Sequence, residues 1–318
     1  MSEHGGPDAL GIPAHDFSTN ANACGPCPQA LLAVQGADAR QYPDPGYGLL
    51  RQALAQLHQV EPARIVLAAS ASEFIQRVTA WCARQGIRSA AVPRHGYGDY
   101  ARAARAWGLA VVHEGAAPLL WLCEPSSPLG QAEERWDAAG QAEVVVLDRA
   151  YEPLRLEDWS SGTAADPGGV WQLWTPNKAL GLTGVRAAYA IAPRGAEQGM
   201  AALEALAPSW PLGAHGVALL HAWCEPAVQL WVLDSQHVLR RWKLQQQALC
   251  RDLGWRCEPS AANFFVAGPL APGRLAALRQ QGVKLRDGSS FGLPGQVRLS
   301  VQPPASQAAL RLAWRATA

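Results

Sequence analysis

From residue 65 to residue 191 the chain alternates short apolar runs with helical stretches, and this alternation constrains the fold more than any other feature. Ile65-Val66-Leu67 precedes a helical pattern over 72–84, and Ala90-Ala91-Val92 precedes one over 97–107. Further runs follow at 110–112, 119–122, 144–147, 171–174 and 187–191. Runs this short, apolar on both faces and separated by helices, belong to strands covered on both sides. The expected fold is therefore α/β, with a large, mostly parallel seven-stranded sheet between helical layers. Ligands of such sheets sit beyond the carboxyl ends of the strands, so chemistry is expected directly after each run.

The rest of the chain divides around that unit. Residues 1–36 are rich in Gly, Pro and Asn and read as an extended arm. Residues 37–212 form the large domain. Residues 213–318 begin with a long helical region, 215–253, and end in a smaller α/β unit with strands expected at 263–266 and 297–301. With 318 residues, 49% of them hydrophobic and 17% charged, the chain has material for a sizeable core and is neither fibrous nor disordered. Its formal charge of +1 argues against electrostatic capture of nucleic acid or an anionic membrane. No basic, apolar leader opens the sequence, and the apolar stretch 217–233 is broken by His221 and Glu225, so no membrane span is expected. Seven scattered Cys fit free thiols in a reducing cytoplasm. Cys24-Gly25-Pro26-Cys27 has the spacing of a thioredoxin-type redox centre, but no strand precedes it; a Gly-Pro turn leading into a helix at Pro28 is the favoured reading. No metal is expected.

Three polar clusters fall where the sheet should present its site. Asp148 ends the run 144–147 and Tyr151 follows it; a buried Asp needs a cationic partner, although a helix N-cap would also explain it. Thr175-Pro176-Asn177-Lys178 follows the run 171–174, with Gly181, Gly184 and Arg186 beyond. A desolvated Lys is a good Schiff-base nucleophile; a surface loop Lys is the bland alternative. Ser70-Ala71-Ser72-Glu73 opens the helix after the first run and reads either as a phosphate-binding helix start or as a capping box. Together the three supply what pyridoxal phosphate needs: a carboxylate for its ring nitrogen, a lysine for its aldehyde and backbone amides for its phosphate.

The order and spacing of these residues resemble the fold-type I pyridoxal-phosphate enzymes of the class I/II aminotransferase group, over nearly the whole chain. Asp148 and Tyr151 match that family's Asp-x-x-Tyr, Thr175 and Lys178 its Ser/Thr-x-x-Lys, and Arg186 its Arg eight residues beyond the Lys. The resemblance implies that 37–212 binds the cofactor. It makes Lys178 the cofactor-linked acid/base, Asp148 the partner of the ring N–H and Tyr151 the partner of the ring oxygen. It assigns Ser70, Ala71, Thr175 and Arg186 to the phosphate, Tyr97 to stacking on the ring, and Arg298 to the substrate carboxylate. Tyr42, in Tyr42-Pro43-Asp44-Pro45, would reach a neighbouring subunit's phosphate, which implies a homodimer with shared active sites.

Within that group the opening His4-Gly5-Gly6, followed by 16–22, is similar to L-threonine O-3-phosphate decarboxylases of cobalamin biosynthesis, as is Phe291-Gly292-Leu293-Pro294-Gly295. The first expectation is therefore decarboxylation of threonine phosphate to (R)-1-amino-2-propanol phosphate. Histidinol-phosphate-type aminotransfer is the alternative, since Tyr42-Pro43-Asp44-Pro45 is shared with those enzymes; a scaffold that has lost catalysis is the third reading. The implied substrate is a small phosphorylated amino acid, with His4, the backbone of Gly5 and Gly6, Asn20 and Arg286 as candidates for its phosphate. Two positions depart from the family pattern. Ser127 replaces the usual Asn beside the ring oxygen, and Arg149 stands where a Glu commonly follows the Asp.

Overall fold

The computed structural model describes residues 5–158 and 167–317. Strand β1 (His15–Asp16) pairs in parallel with β11 (Val283–Lys284), tying the arm to the C-terminal unit. Helix α1 (Pro28–Gln35) starts on Pro28, where a missing N–H removes no helical bond. Helix α2 (Gly48–His58) follows.

The apolar runs collect, among the described residues, into one seven-stranded sheet. Across it lie β2 (Ile65–Ala68), β8 (Ala188–Ile191), β7 (Trp171–Trp174), β6 (Val144–Asp148), β5 (Leu119–Cys123), β3 (Ser89–Ala91) and β4 (Ala110–Val112). All neighbouring pairs are parallel except those of β8, which runs against both β2 and β7. Two reversals in succession leave β2 parallel to β7, so the carboxyl ends of β2, β6 and β7 share one edge. Alternate residues serve two cores. Ile65, Leu67, Tyr189 and Ile191 pack toward α1, α2 and α6 (Ala214–Cys224). Val66, Ala68, Ala188 and Ala190 pack toward α3 (Ala71–Arg84), α4 (Gly98–Ala106) and α5 (Glu197–Ala205). This two-sided burial is why the runs lack a polar face.

The region 215–253 is not one helix. It divides into α6 and α7 (Pro226–Asp252), bent by 75°. The cause is local: Pro226 has no N–H to donate, and it pushes Glu225 into an extended conformation at φ −71°, ψ 131°. No single helix among the described residues is long and apolar enough to cross a membrane.

The C-terminal unit is an antiparallel sheet in the order β12 (Arg286–Asp287), β13 (Val297–Ser300), β10 (Phe264–Gly268), β9 (Arg256–Cys257). Helices α8 (Arg274–Gln280) and α9 (Pro304–Ala316) accompany it. Phe17 of the arm is fully buried in its core with Phe265, Leu299 and Leu310.

Candidate active site

The shared edge of β2, β6 and β7 opens into a cavity of about 380 Å³. Asp148, the last residue of β6, stands at its floor and is 4% exposed. One carboxylate oxygen accepts from the Ala150 N–H at 2.9 Å, and the other from the Tyr100 hydroxyl at 2.6 Å. Burial raises the Asp148 pKa, opposed by the Tyr100 and Ala150 hydrogen bonds and by the charge of Lys178. Tyr100 is itself fully buried and stacks on Trp121 at 4.7 Å; its phenol is pushed well up, first by burial and then by Asp148, so it remains the donor. Sequence reasoning passed over Tyr100. The available signal was its position three residues after Tyr97 at the start of α4, which puts both rings on one helix face.

Lys178 lies in the turn after β7, facing the same cavity. Its Nζ is 3.5 Å from Thr175 Oγ1 and 5.4 Å from the Tyr151 ring centroid. Tyr151 lines the cavity with its ring edge-to-face on Phe264. Asn177, buried beside Lys178, donates to the Thr183 and Val185 carbonyls, while its own Oδ1 has no partner among the described residues.

The helix start after β2 forms the third wall. Ser70 Oγ accepts from the Glu73 N–H at 3.1 Å, and the Glu73 carboxylate accepts from the Ala69 N–H at 3.2 Å. The Ser70 cap thus exists, while Glu73 reaches back to the amide before the N-cap rather than closing the box on Ser70, and Ser70 and Ala71 line the cavity as well. The two readings of this segment are compatible, because the cap uses Ser70 Oγ as acceptor while the first amides of a helix lack intrahelical partners. Ser70→Ala is expected to lower the stability of the cofactor-free protein by about 1 kcal/mol in urea denaturation. Tyr97 lines the cavity with its hydroxyl 3.0 Å from Ser72 Oγ, and burial raises its pKa further above the usual phenol range. Arg186 lies at the mouth.

The C-terminal sheet contributes two arginines to the lining. Arg286 and Arg298 are directly opposed across β12 and β13, and both are buried, at 5% and 7% exposure. The Arg298 guanidinium donates to Ser127 Oγ at 3.3 Å and to the Ser18 carbonyl at 3.0 Å, and its Nε has no partner among the described residues. Burial lowers its pKa, and neighbouring Arg286 lowers it further. Arg286 donates to Ser290 Oγ at 2.7 Å. Both guanidinium groups face the Phe291 ring, at 4.8 Å and 5.4 Å. Both guanidinium groups line the cavity, and their planar donor forks suit a carboxylate or phosphate.

The remaining sequence candidates divide between the cavity and other places. Asn20 does not line the cavity: it is buried behind Tyr151 and donates to the Tyr151 hydroxyl at 3.3 Å. Tyr42 is exposed and stacked on Trp210 at 4.4 Å, away from the cavity of its own chain. Gly5 lines the cavity, and His4 lies outside the described residues. Ser127 lines the cavity, where its hydroxyl meets Arg298. Arg149 lies 5.0 Å over the Trp174 ring and pairs with Glu152. Cys24 and Cys27 are free thiols, and burial pushes Cys24 up to about 11, the reverse of what a redox centre needs.

The family profile described as aminotransferase class I and II matches residues 113–316. The chain belongs to this family. A histidinol-phosphate aminotransferase of Symbiobacterium thermophilum is 30% identical over 91% of this chain and 87% of that protein. One from Jannaschia sp. is 28% identical over 91% of this chain and 87% of its own length. The crystal structure of histidinol-phosphate aminotransferase from Sinorhizobium meliloti in complex with pyridoxal-5'-phosphate superposes with a TM-score of 0.81, covering 100% of this chain and 96% of that one at 22% identity. The protein is thus a pyridoxal-phosphate enzyme of the aminotransferase class with the fold-type I architecture.

The same relatives overturn the first functional expectation. They are histidinol-phosphate aminotransferases, not threonine-phosphate decarboxylases. The physical reason for the error is that one set of groups serves both courses. Short N-terminal and C-terminal stretches were left to separate them, and such stretches specify backbone shape rather than reaction.

The cavity fits the cofactor on its own chemistry. Asp148 is a buried carboxylate whose near neighbours are a hydroxyl and an amide, so it has capacity for a cationic ring N–H. Lys178 would supply the amine and the start of α3 the phosphate amides, and Asn177 Oδ1, beside Lys178 and without a partner among the described residues, is a further polar atom of the lining.

Proposed function

We propose that the protein transfers an amino group between a small phosphorylated amine of the histidinol-phosphate type and a 2-oxo acid such as 2-oxoglutarate. The observation that carries this reading is the buried Arg286–Arg298 pair, which lines the same cavity as Lys178 and Asp148. Histidinol phosphate offers a phosphate dianion there and no carboxylate; glutamate offers carboxylates. Two opposed guanidinium groups suit either anion.

When bound, pyridoxal phosphate supplies an aldehyde that accepts the amino group and a ring that draws electrons from the carbon bearing it. Asp148 holds a proton at the ring nitrogen, and Tyr100 holds Asp148 in place. Tyr151 would hold the cofactor by a hydrogen bond from its hydroxyl to the ring oxygen, and Asn20 donates to that hydroxyl. Lys178 takes the proton from the substrate Cα as general base. Arg298 and Arg286 bind the substrate's anion and thereby orient the Cα–H bond toward Lys178. The exposed Tyr42–Trp210 stack supports a homodimer as part of this reading, with Tyr42 offered to the partner's cavity.

The test is incubation with histidinol phosphate and 2-oxoglutarate. Glutamate formation supports the reading, and its absence with active cofactor-loaded protein opposes it. Arg298→Lys, which keeps the charge but loses the planar fork, should raise the KM for the phosphorylated donor roughly 10- to 100-fold with a smaller change in kcat, read by steady-state kinetics.

A further inference from the structure

Two cations outside the cavity bind the start of the chain. Lys284, on β11, is 8% exposed; its ammonium donates to the Gly6 carbonyl at 2.6 Å and pairs with the Asp8 carboxylate at 3.0 Å. Arg279, on α8, grips Asp8 with two nitrogens at 2.8 and 2.9 Å and also donates to the Gly11 carbonyl at 2.8 Å. These contacts turn residues 5–11 across the C-terminal unit.

What the turn positions is the anion end of the cavity. The Gly6 N–H, at φ +90°, donates to Ser18 Oγ at 2.9 Å. Ser18 in turn donates its hydroxyl to Asp16 at 2.5 Å and offers its carbonyl to the Arg298 guanidinium. Gly5 lies directly on that carbonyl: a Cβ at Gly5 would sit 2.3 Å from Ser18 O and 2.7 Å from its carbon. Only glycine permits this approach. A continuous chain of contacts therefore runs from Arg279 through Asp8 to Lys284, and from Lys284 through Gly6 and Ser18 to Arg298.

We propose that Asp8 and Lys284 latch the N-terminal arm over the anion end of the active-site cavity and so hold Arg298 in its anion-binding orientation. Asp8 and Lys284 are positioning residues; neither lines the cavity. The proposal rests on the reading of Arg298 as the substrate-anion site, but not on which amine is the donor.

The experiment is hydrogen exchange of the peptide spanning 5–12 in the cofactor-loaded protein, with 2-oxoglutarate as the anionic probe, alongside steady-state kinetics. Wild type should exchange slowly in this peptide, and more slowly with the probe. Lys284→Met should speed that exchange roughly tenfold or more, and Asp8→Asn about two- to fivefold, while peptides of the seven-stranded sheet stay unchanged. Both variants should raise KM for anionic substrates with kcat nearly constant, and Gly5→Ala should raise KM with Lys284 and Asp8 intact. Unchanged exchange in both variants, or faster exchange with an unchanged KM, would overturn the latch. If histidinol phosphate is not a substrate, the exchange arms still decide the question, so failure of the functional reading is distinguishable from failure of the latch.

Discussion

Lys178→Ala is expected to reduce turnover by at least about 10⁴-fold, because under the proposed function Lys178 is both the covalent attachment point and the general base at Cα. Lys178 is the amine placed between Thr175 and the Tyr151 ring, inside the cavity that Asp148 floors. The variant should also lack the visible absorbance of cofactor bound to an ε-amine. Borohydride treatment followed by peptide mass mapping should mark wild-type Lys178 with a pyridoxyl group and leave the variant unmarked. A variant that kept the visible band, or a mark on another lysine, would remove Lys178 from the role assigned to it.

Asp148→Asn should be nearly as severe, with a loss in kcat of roughly 10²- to 10³-fold, since an amide cannot stabilise a protonated ring nitrogen as a carboxylate does. Stability should move the other way. Burial raises the Asp148 pKa in the folded chain above its unfolded value. The unfolded state therefore loses its proton at lower pH than the folded state. The penalty is absent below the unfolded value, grows as pH rises between the two, and is complete above the folded value. In the cofactor-free protein, Asp148→Asn should remove this fall in stability with pH and raise the melting temperature at neutral pH. Thermal unfolding of both proteins across the acid range reads the difference. An identical pH profile in wild type and variant would mean that Asp148 is not buried as a charge.

The large sheet was legible because its strands are covered on both faces: 65–67 and 144–147 are wholly apolar, 171–174 is apolar but for Gln172, and each is followed within four residues by a candidate site residue. Asp148, Lys178 and Ser70 could be read for that reason. The break between α6 and α7 was overlooked although Pro226 marks it, because the amphipathic pattern continues through the bend. Tyr100 and the position of Asn20 depend on tertiary contacts, between α4 and β6 and between the arm and Tyr151, that no local pattern encodes. The same holds for the contact of Ser127 with Arg298, a residue 171 positions away. The reaction itself was the least legible level, since proton removal and bond cleavage at one carbon use the same lysine, carboxylate and arginine.

The most direct test of the account is a single-turnover half-reaction. The cofactor-loaded protein is mixed with histidinol phosphate in the absence of any 2-oxo acid, and the cofactor is then released and separated by chromatography. Amino transfer predicts conversion of the aldehyde form to the amine form, about one per active chain, and return to the aldehyde on addition of 2-oxoglutarate. Cofactor recovered entirely as the aldehyde, from protein that binds it at Lys178, would contradict the assignment.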